Sequence, residues 1–211
     1  MGTGCFGCRD NRGGVDGISF AEKANLPEVK MSLIKLPKRA KSGHDGVLPV
    51  AKNTFQIAKI RGLLLNITIL SSPSPSTFED IIALIALIAK LRQLSNGKPI
   101  GFKLCIGDTR EFELICHEMI TQNCFPDFIT VDGAEAGIIT GSLKFADGAG
   151  MPFESVHIFV NKALVSFRIK EKIRIISIGR LIFGYSIRRA RAIGADICNS
   201  ARRCILLLGY I

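Results

Sequence analysis

Two apolar stretches of this chain carry ionisable side chains where chemistry could use them. Asp127-Phe-Ile-Thr-Val-Asp-Gly-Ala-Glu135 is a short β-branched run that stops at Asp132-Gly133 and continues to Glu135. Such a run reads as a buried parallel strand delivering acidic side chains to the loop at its C-terminal end. Pro99-Ile-Gly-Phe-Lys-Leu-Cys-Ile106 is similar but holds Lys103 inside the apolar run. An ammonium cannot lie unpaired among apolar side chains, so Lys103 must reach an anionic or polar partner. Asp132 or Glu135 on a neighbouring strand would make a structural ion pair; a ligand at the strand ends is the other partner, and both together are compatible.

Two further strand ends suit an anion. In Ser177-Ile-Gly-Arg180 and Asn199-Ser-Ala-Arg202, the small residues Gly179 and Ser200 let backbone N–H groups approach a phosphate, while Arg180 and Arg202 add charge. Gly179 taken alone is equally a turn residue. Lys41, His44 and Arg61 form a candidate site for an acidic small molecule, since arginine grips a carboxylate with two hydrogen bonds; a solvated basic loop is the plainer reading. No Ser-His-Asp or Cys-His arrangement is legible, and His117 and His157 fall on helical segments, which points to surface or packing roles. Of seven cysteines, only Cys5 and Cys8 are closely spaced, and no second pair completes a zinc site. No metal ligand set is expected, and Cys105 and Cys198, inside apolar strands, read as reduced structural thiols.

These residues need a frame, and the segments between them supply it. Residues 1–28 are Gly-rich and polar without strong periodicity. Strands are expected at 30–36, 63–70, 100–106, 127–132, 173–178 and 195–199, about six in all. Helices are expected from Thr54 to Arg61 with Thr54 as cap, from Thr77 to Leu91 with Thr77 as cap, from Thr109 to Gln122, from Phe153 to Phe167, from Tyr185 to Ile193, and again after the last strand. The stretch from Ala134 to Pro152 is long for a connection without secondary structure, which suggests function. Strand, helix and strand alternate, and polar or glycine-rich loops follow successive strands. That pattern predicts an α/β fold, a partial (β/α)8 TIM barrel with its site at the C-terminal rim.

The 211 residues suit one domain and are few for a complete barrel, which typically needs about 250. No stretch is long and apolar enough for a membrane span, the longest being Ile81–Ala89, and the first residues lack the basic start and apolar core of a signal peptide. A cytoplasmic location is the default expectation. Net charge is +10, and eleven Lys or Arg lie between Lys162 and Arg203 against only Glu171 and Asp196. Solvated helix faces account for most of it, an anionic ligand at the rim comes next, and nucleic acid is not expected because no recognition motif accompanies the charge.

Several blocks then resemble one family in collinear order: Thr3-Gly-Cys-Phe-Gly-Cys-Arg-Asp10, Ala40-Lys-Ser-Gly-His-Asp-Gly-Val-Leu-Pro49, Ile57-Ala-Lys-Ile-Arg-Gly62, the Lys103 and Asp132 runs, and Gly194-Ala-Asp-Ile-Cys-Asn-Ser-Ala-Arg202. They are similar to the FMN-binding domain of glutamate synthases, nearest to the stand-alone bacterial glutamate-synthase-like branch, over essentially the whole chain. The resemblance implies a flavin-binding barrel. It also implies FMN as cofactor and reductive amination of 2-oxoglutarate by ammonia to glutamate, with electrons arriving through an iron–sulfur cluster from a donor the sequence does not specify. Carried over by position, the resemblance implies flavin contacts for Lys103 and for Asp132-Gly133 at the rim. It implies oxo-acid contacts for Lys41 and Arg61, and phosphate-end roles for Gly179, Arg180, Ser200 and Arg202.

The chain departs from the family pattern in places. A Gly-Gly-Thr-Gly loop is replaced by Ala136-Gly-Ile-Ile139, a Pro-Pro-x-His turn by Ser72-Pro-Ser-Pro75, and a Ser-Gly-Lys turn by Ile178-Gly-Arg180. Tyr210 stands where the first cluster cysteine is expected, so the family's iron–sulfur cluster is not expected here. The chain therefore reads as one domain, 1–211, an internal portion of a glutamate synthase barrel that is inactive by itself; the alternative is a non-catalytic remnant or a barrel-completing subunit without redox activity.

Overall fold

The structure is a computed structural model and describes residues 8, 10, 14–36, 47–61, 64–70, 80–134, 150–179, 181–200, 205 and 208–209, with the backbone alone at 47, 60, 61 and 70. Strands β1 (Ser32–Lys35), β4 (Ile100–Leu104), β5 (Phe128–Asp132), β6 (Arg174–Ile178) and β7 (Ile197–Asn199) form one sheet in that order. All four neighbouring pairs are parallel. Two short strands, β2 (Val47–Leu48) and β3 (Ile69–Leu70), make a separate antiparallel ribbon. The helices are α1 (Gly17–Ala24), α2 (Phe55–Arg61), α3 (Ile81–Leu94), α4 (Thr109–Thr121), α5 (Phe153–Ser166) and α6 (Gly184–Ala192).

The sheet order never reverses along the chain. Since parallel crossovers are right-handed, an unreversed order places every crossover helix on the same face. The packing agrees. Ile34, Phe102, Leu104, Ile129, Val131 and Ile175 point to one face by register and alternation, and they share a core with Leu84, Ile85 and Ile88 of α3, Phe112 and Met119 of α4, and Val156 and Val160 of α5. Near β7, Cys198 packs with Leu181, Ala190 and Ala195 in a second small cluster under α6. The opposite face carries Leu33, Lys35, Gly101, Lys103, Phe128, Thr130, Asp132, Ile176 and Ile178. A five-stranded parallel sheet flanked by helices in this order is consistent with part of a barrel.

Three of the helices, α1, α3 and α4, start at an aspartate cap. Helix α3 buries Leu84, Ile85, Ile88 and Leu91, one stripe at helical spacing. Its cap is Asp80, whose carboxylate accepts the Ala83 N–H at 2.7 Å, and not Thr77 as expected; an aspartate also suits the positive helix end. Asp108 caps α4 in the same way through Arg110 N, at 3.0 Å. Helix α1 was not legible in the Gly-rich N-terminal region. It is set by Asp16, which accepts from Ile18 N and from the Ser19 hydroxyl and is held below the usual carboxylate range chiefly by Ser19, and it buries Phe20 and Ala24.

The expected strand at 63–70 is corrected to a turn that ends in the two residues of β3. Asn53, itself buried, donates from Nδ2 to Leu64 O (2.8 Å) and Ile67 O (3.0 Å), and Asn66 takes φ +61°. Pulled into that turn, the segment cannot extend into the sheet, so five of the six expected strands form it. The expected elements at 71–79, at 201–204 and at 206–207 lie outside the described residues, as does the long connection at 135–149.

Asp196 at the foot of β7 gives the fold an acid-sensitive tie. Burial opposes its ionisation. The Lys170 ammonium (2.7 Å), the Ile175 N–H (2.7 Å) and the charges of Lys170 and Arg174 more than offset that, and its pKa lies below the ordinary value. A depressed folded-state pKa contributes stability above the unfolded value and loses it as pH falls through the folded one. Asp196→Asn is therefore expected to lower the thermal midpoint most at neutral pH, and by progressively less as pH falls below the unfolded value toward the folded one. A loss in thermal melts that does not shrink with falling pH would refute the assignment.

Candidate functional site at the C-terminal rim

The strand register brings most of the expected residues together. Lys103 lies opposite Thr130, on the sheet face turned away from the helices, and Asp132 is two residues further along the same face of β5. Lys103 Nζ is 2.8 Å from Asp132 Oδ2; the aspartate side chain is 2% exposed and that of the lysine 17%. The pair is thus buried on its anionic side and partly exposed on its cationic side. Asp132 also stands level with Ile178 on β6, and Ile178 with Asn199 on β7. Gly133, Gly179 and Ser200 are consequently the residues that directly follow three adjacent strands.

The rim is held by hydrogen bonds of its own. Met151 N donates to Ile106 O (2.8 Å) and Ala134 N donates to Met151 O (3.0 Å), so the chain returns at residue 151 to the tips of β4 and β5. A Cβ on Gly150 would stand 2.9 Å from Cys105 Sγ, so any larger residue there would have to push that thiol aside. A Cβ on Gly179 would stand 2.9 Å from the Phe153 ring, so a larger residue there would have to displace that ring. The Ser200 hydroxyl donates to Leu181 O and Leu181 N donates to Gly179 O (2.7 Å), tying the two outer loops together. Helix α6 starts just beyond them with Phe183 as its N-cap and no side-chain cap.

Of the other expected site residues, Lys41, Arg180 and Arg202 lie outside the described residues, and Arg61 is placed only as the last residue of α2. His44 and Glu135 are likewise outside them. Two of the described thiols are made less acidic by burial, which pushes Cys116 up to about 12 and raises Cys198 against the opposing charge of Arg191. His157 is buried, with Nδ1 2.6 Å from Phe153 O, a packing role as expected. Among the described residues no three His, Cys, Asp or Glu side chains are grouped to hold a metal ion, and no helix is long and apolar enough to cross a membrane.

One residue escaped the sequence reading. Lys35 ends β1 in register with Lys103, on the same face of the neighbouring strand, and it is exposed. The signal was present: like Lys103, it is a lysine within an expected strand, flanked by apolar residues. Two lysines in register on one face, one of them paired with a buried carboxylate, give this corner of the sheet a surplus positive charge, suited to an anionic or carbonyl-bearing ligand.

The family described as "Conserved region in glutamate synthase" matches residues 1–211. This chain belongs to the glutamate synthase family. The chain is 30% identical over its whole length to the glutamate synthase large subunit-like protein YerD of Bacillus subtilis, of which it covers 40%. It is 28% identical over 183 residues to the glutamate synthase [NADPH] large chain of Azospirillum brasilense, covering 84% of this chain and 12% of that one. Ferredoxin-dependent glutamate synthase 2 of Synechocystis is 25% identical over 179 residues, 82% of this chain and 11% of that one. The chain thus spans less than half the length of these relatives. What the match adds to the geometry is a family in which the rim residues can be interpreted.

Proposed function

We propose that this chain provides the FMN-binding barrel face of a glutamate synthase-type oxidoreductase, reducing the imine of 2-oxoglutarate and ammonia to glutamate. The observation that carries the reading is the Lys103–Asp132 pair on the helix-free face at the strand tips, in a chain matched over its full length by the family. Barrel enzymes place their chemistry at that end of the strands. A bound flavin would supply the hydride chemistry, and the protein's part is binding, orientation and charge.

The residues fit such a group at one end and constrain it at the other. Asp132 takes one of the three N–H donors of Lys103 and orients the ammonium, and the partly exposed lysine side chain has further donors to offer a ring carbonyl or nitrogen at the rim. At the phosphate end, the Ser200 hydroxyl and the Leu181 N–H are already committed within the protein. The donors for a phosphate there are the first amides of α6 with Arg180 and Arg202. Lys35, Lys41 and Arg61 are assigned to the carboxylates of the oxo acid. Electrons are assigned to an NADPH- or ferredoxin-linked donor, the two kinds named for the relatives.

Titration of the purified chain with FMN, followed by quenching of flavin fluorescence, tests the reading. Saturable quenching that weakens about tenfold or more in Lys103→Met and in the Arg180→Ala/Arg202→Ala double variant is expected, since each removes a charge-assisted hydrogen bond. A soluble, folded chain that leaves FMN fluorescence unchanged would overturn it, and would favour a relative that keeps the fold without redox chemistry.

A further inference from the structure

We propose that Asp127 is a positioning residue for the Lys103–Asp132 pair, acting through the register of β4 against β5. The pair joins two different strands, so its geometry depends on how they are aligned. A slip of one residue would turn Asp132 to the helix side, and a slip of two would move it along the strand by about 6.6 Å.

Asp127, immediately before β5, fixes that alignment from the opposite end of the sheet. Its N–H donates to Ile100 O at 2.9 Å and its Oδ2 accepts the Ile100 N–H at 2.8 Å, so one residue grips both backbone groups of the first residue of β4. Arg92, from α3, holds the same oxygen through Nη2 (2.8 Å) and Nε (3.3 Å) and also donates to Phe125 O (2.6 Å). The carboxylate behaves as an additional carbonyl below the last rung of the ladder, and no slipped register preserves these bonds.

The arrangement occurs a second time. Asp196, before β7, donates its N–H to Ile175 O (2.8 Å) and accepts the Ile175 N–H (2.7 Å), with Lys170 in the place of Arg92. Two aspartates at the same point of two strand–helix–strand units, each gripping one residue of the preceding strand, make the clip a device of this fold. Only the first clip governs the strands that bear the ion pair.

The functional weight of Asp127 rests on the reading of Lys103 and Asp132 given above, but the test measures the pair itself. The folded full chain is given a short pulse of an amine acylating reagent at fixed pH, and the rate at each lysine is read by mass spectrometry. Lys103, ion-paired and 17% exposed, is expected to react slowly beside exposed Lys35. Asp127→Ala should raise the Lys103 rate about tenfold through local opening, and Asp127→Asn, which keeps the acceptor for Ile100 N–H, should stay within about twofold of the parent. Asp196→Ala should lower the thermal midpoint yet leave the Lys103 rate unchanged.

A folded Asp127→Ala protein with the parental Lys103 rate, or an equal rise in Asp196→Ala, would overturn the proposal. If Asp127→Ala does not fold, Asp127→Glu is read instead; its longer arm displaces the clip while keeping the charge for Arg92. A faster Lys103 then supports the proposal and a parental rate refutes it. Faster Lys103 in a chain that binds no FMN would keep the positioning role and remove the cofactor reading.

Discussion

Lys103→Met is expected to destabilise the chain by about 3–5 kcal/mol in urea unfolding at neutral pH, whereas Asp132→Asn costs only about 1–2 kcal/mol, although the two residues form one pair. The asymmetry follows from burial. Asp132 is 2% exposed, and removing Lys103 strips a buried carboxylate of that counter-charge. Lys103 is 17% exposed on a flexible stem, so without the Asp132 charge its ammonium can move toward water. Equal costs for the two variants would show that the pair is not the buried contact described.

Gly101→Ala should be nearly as damaging, at about 3 kcal/mol, and for a steric reason. Gly101 faces Phe128 across β4 and β5, and a Cβ there would come within 2.5 and 2.6 Å of two ring carbons and nearer still to the Phe128 carbonyl oxygen. The ring can rotate away, but the carbonyl belongs to the strand backbone. Gly101→Ala/Phe128→Ala should therefore recover only part of the loss in thermal melts. Full recovery would place the entire clash in the ring and leave the strand spacing without a role.

Both predictions concern features that the sequence showed only in part. The apolar β-branched runs of β4, β5 and β6 and the stripes of α3, α4 and α5 were legible because their periodicity coincides with their burial. What failed was set by contacts between distant residues. The 63–70 segment has the composition of a strand, yet Asn53 draws it into a turn through two side-chain hydrogen bonds. Helix α1 depends on a single cap, Asp16, in a stretch too short for a clear stripe. At the site, the sequence marked Lys103 as needing a partner but could not choose between Asp132 and Glu135, because that choice is one of strand register. The structure pairs Lys103 with Asp132, and the same register brings Lys35 alongside.

The return of the chain at Met151 bears on how such a rim diversifies. Ala134 and Met151 are hydrogen-bonded to each other, and Met151 is bonded also to Ile106, so the scaffold resumes at the point where it was left. An insertion, a deletion or a wholesale exchange between those two residues would not have to be accommodated by α5 or β6. Changes of length or sequence between those two residues are thus expected to be uncoupled from the strands that hold the ion pair.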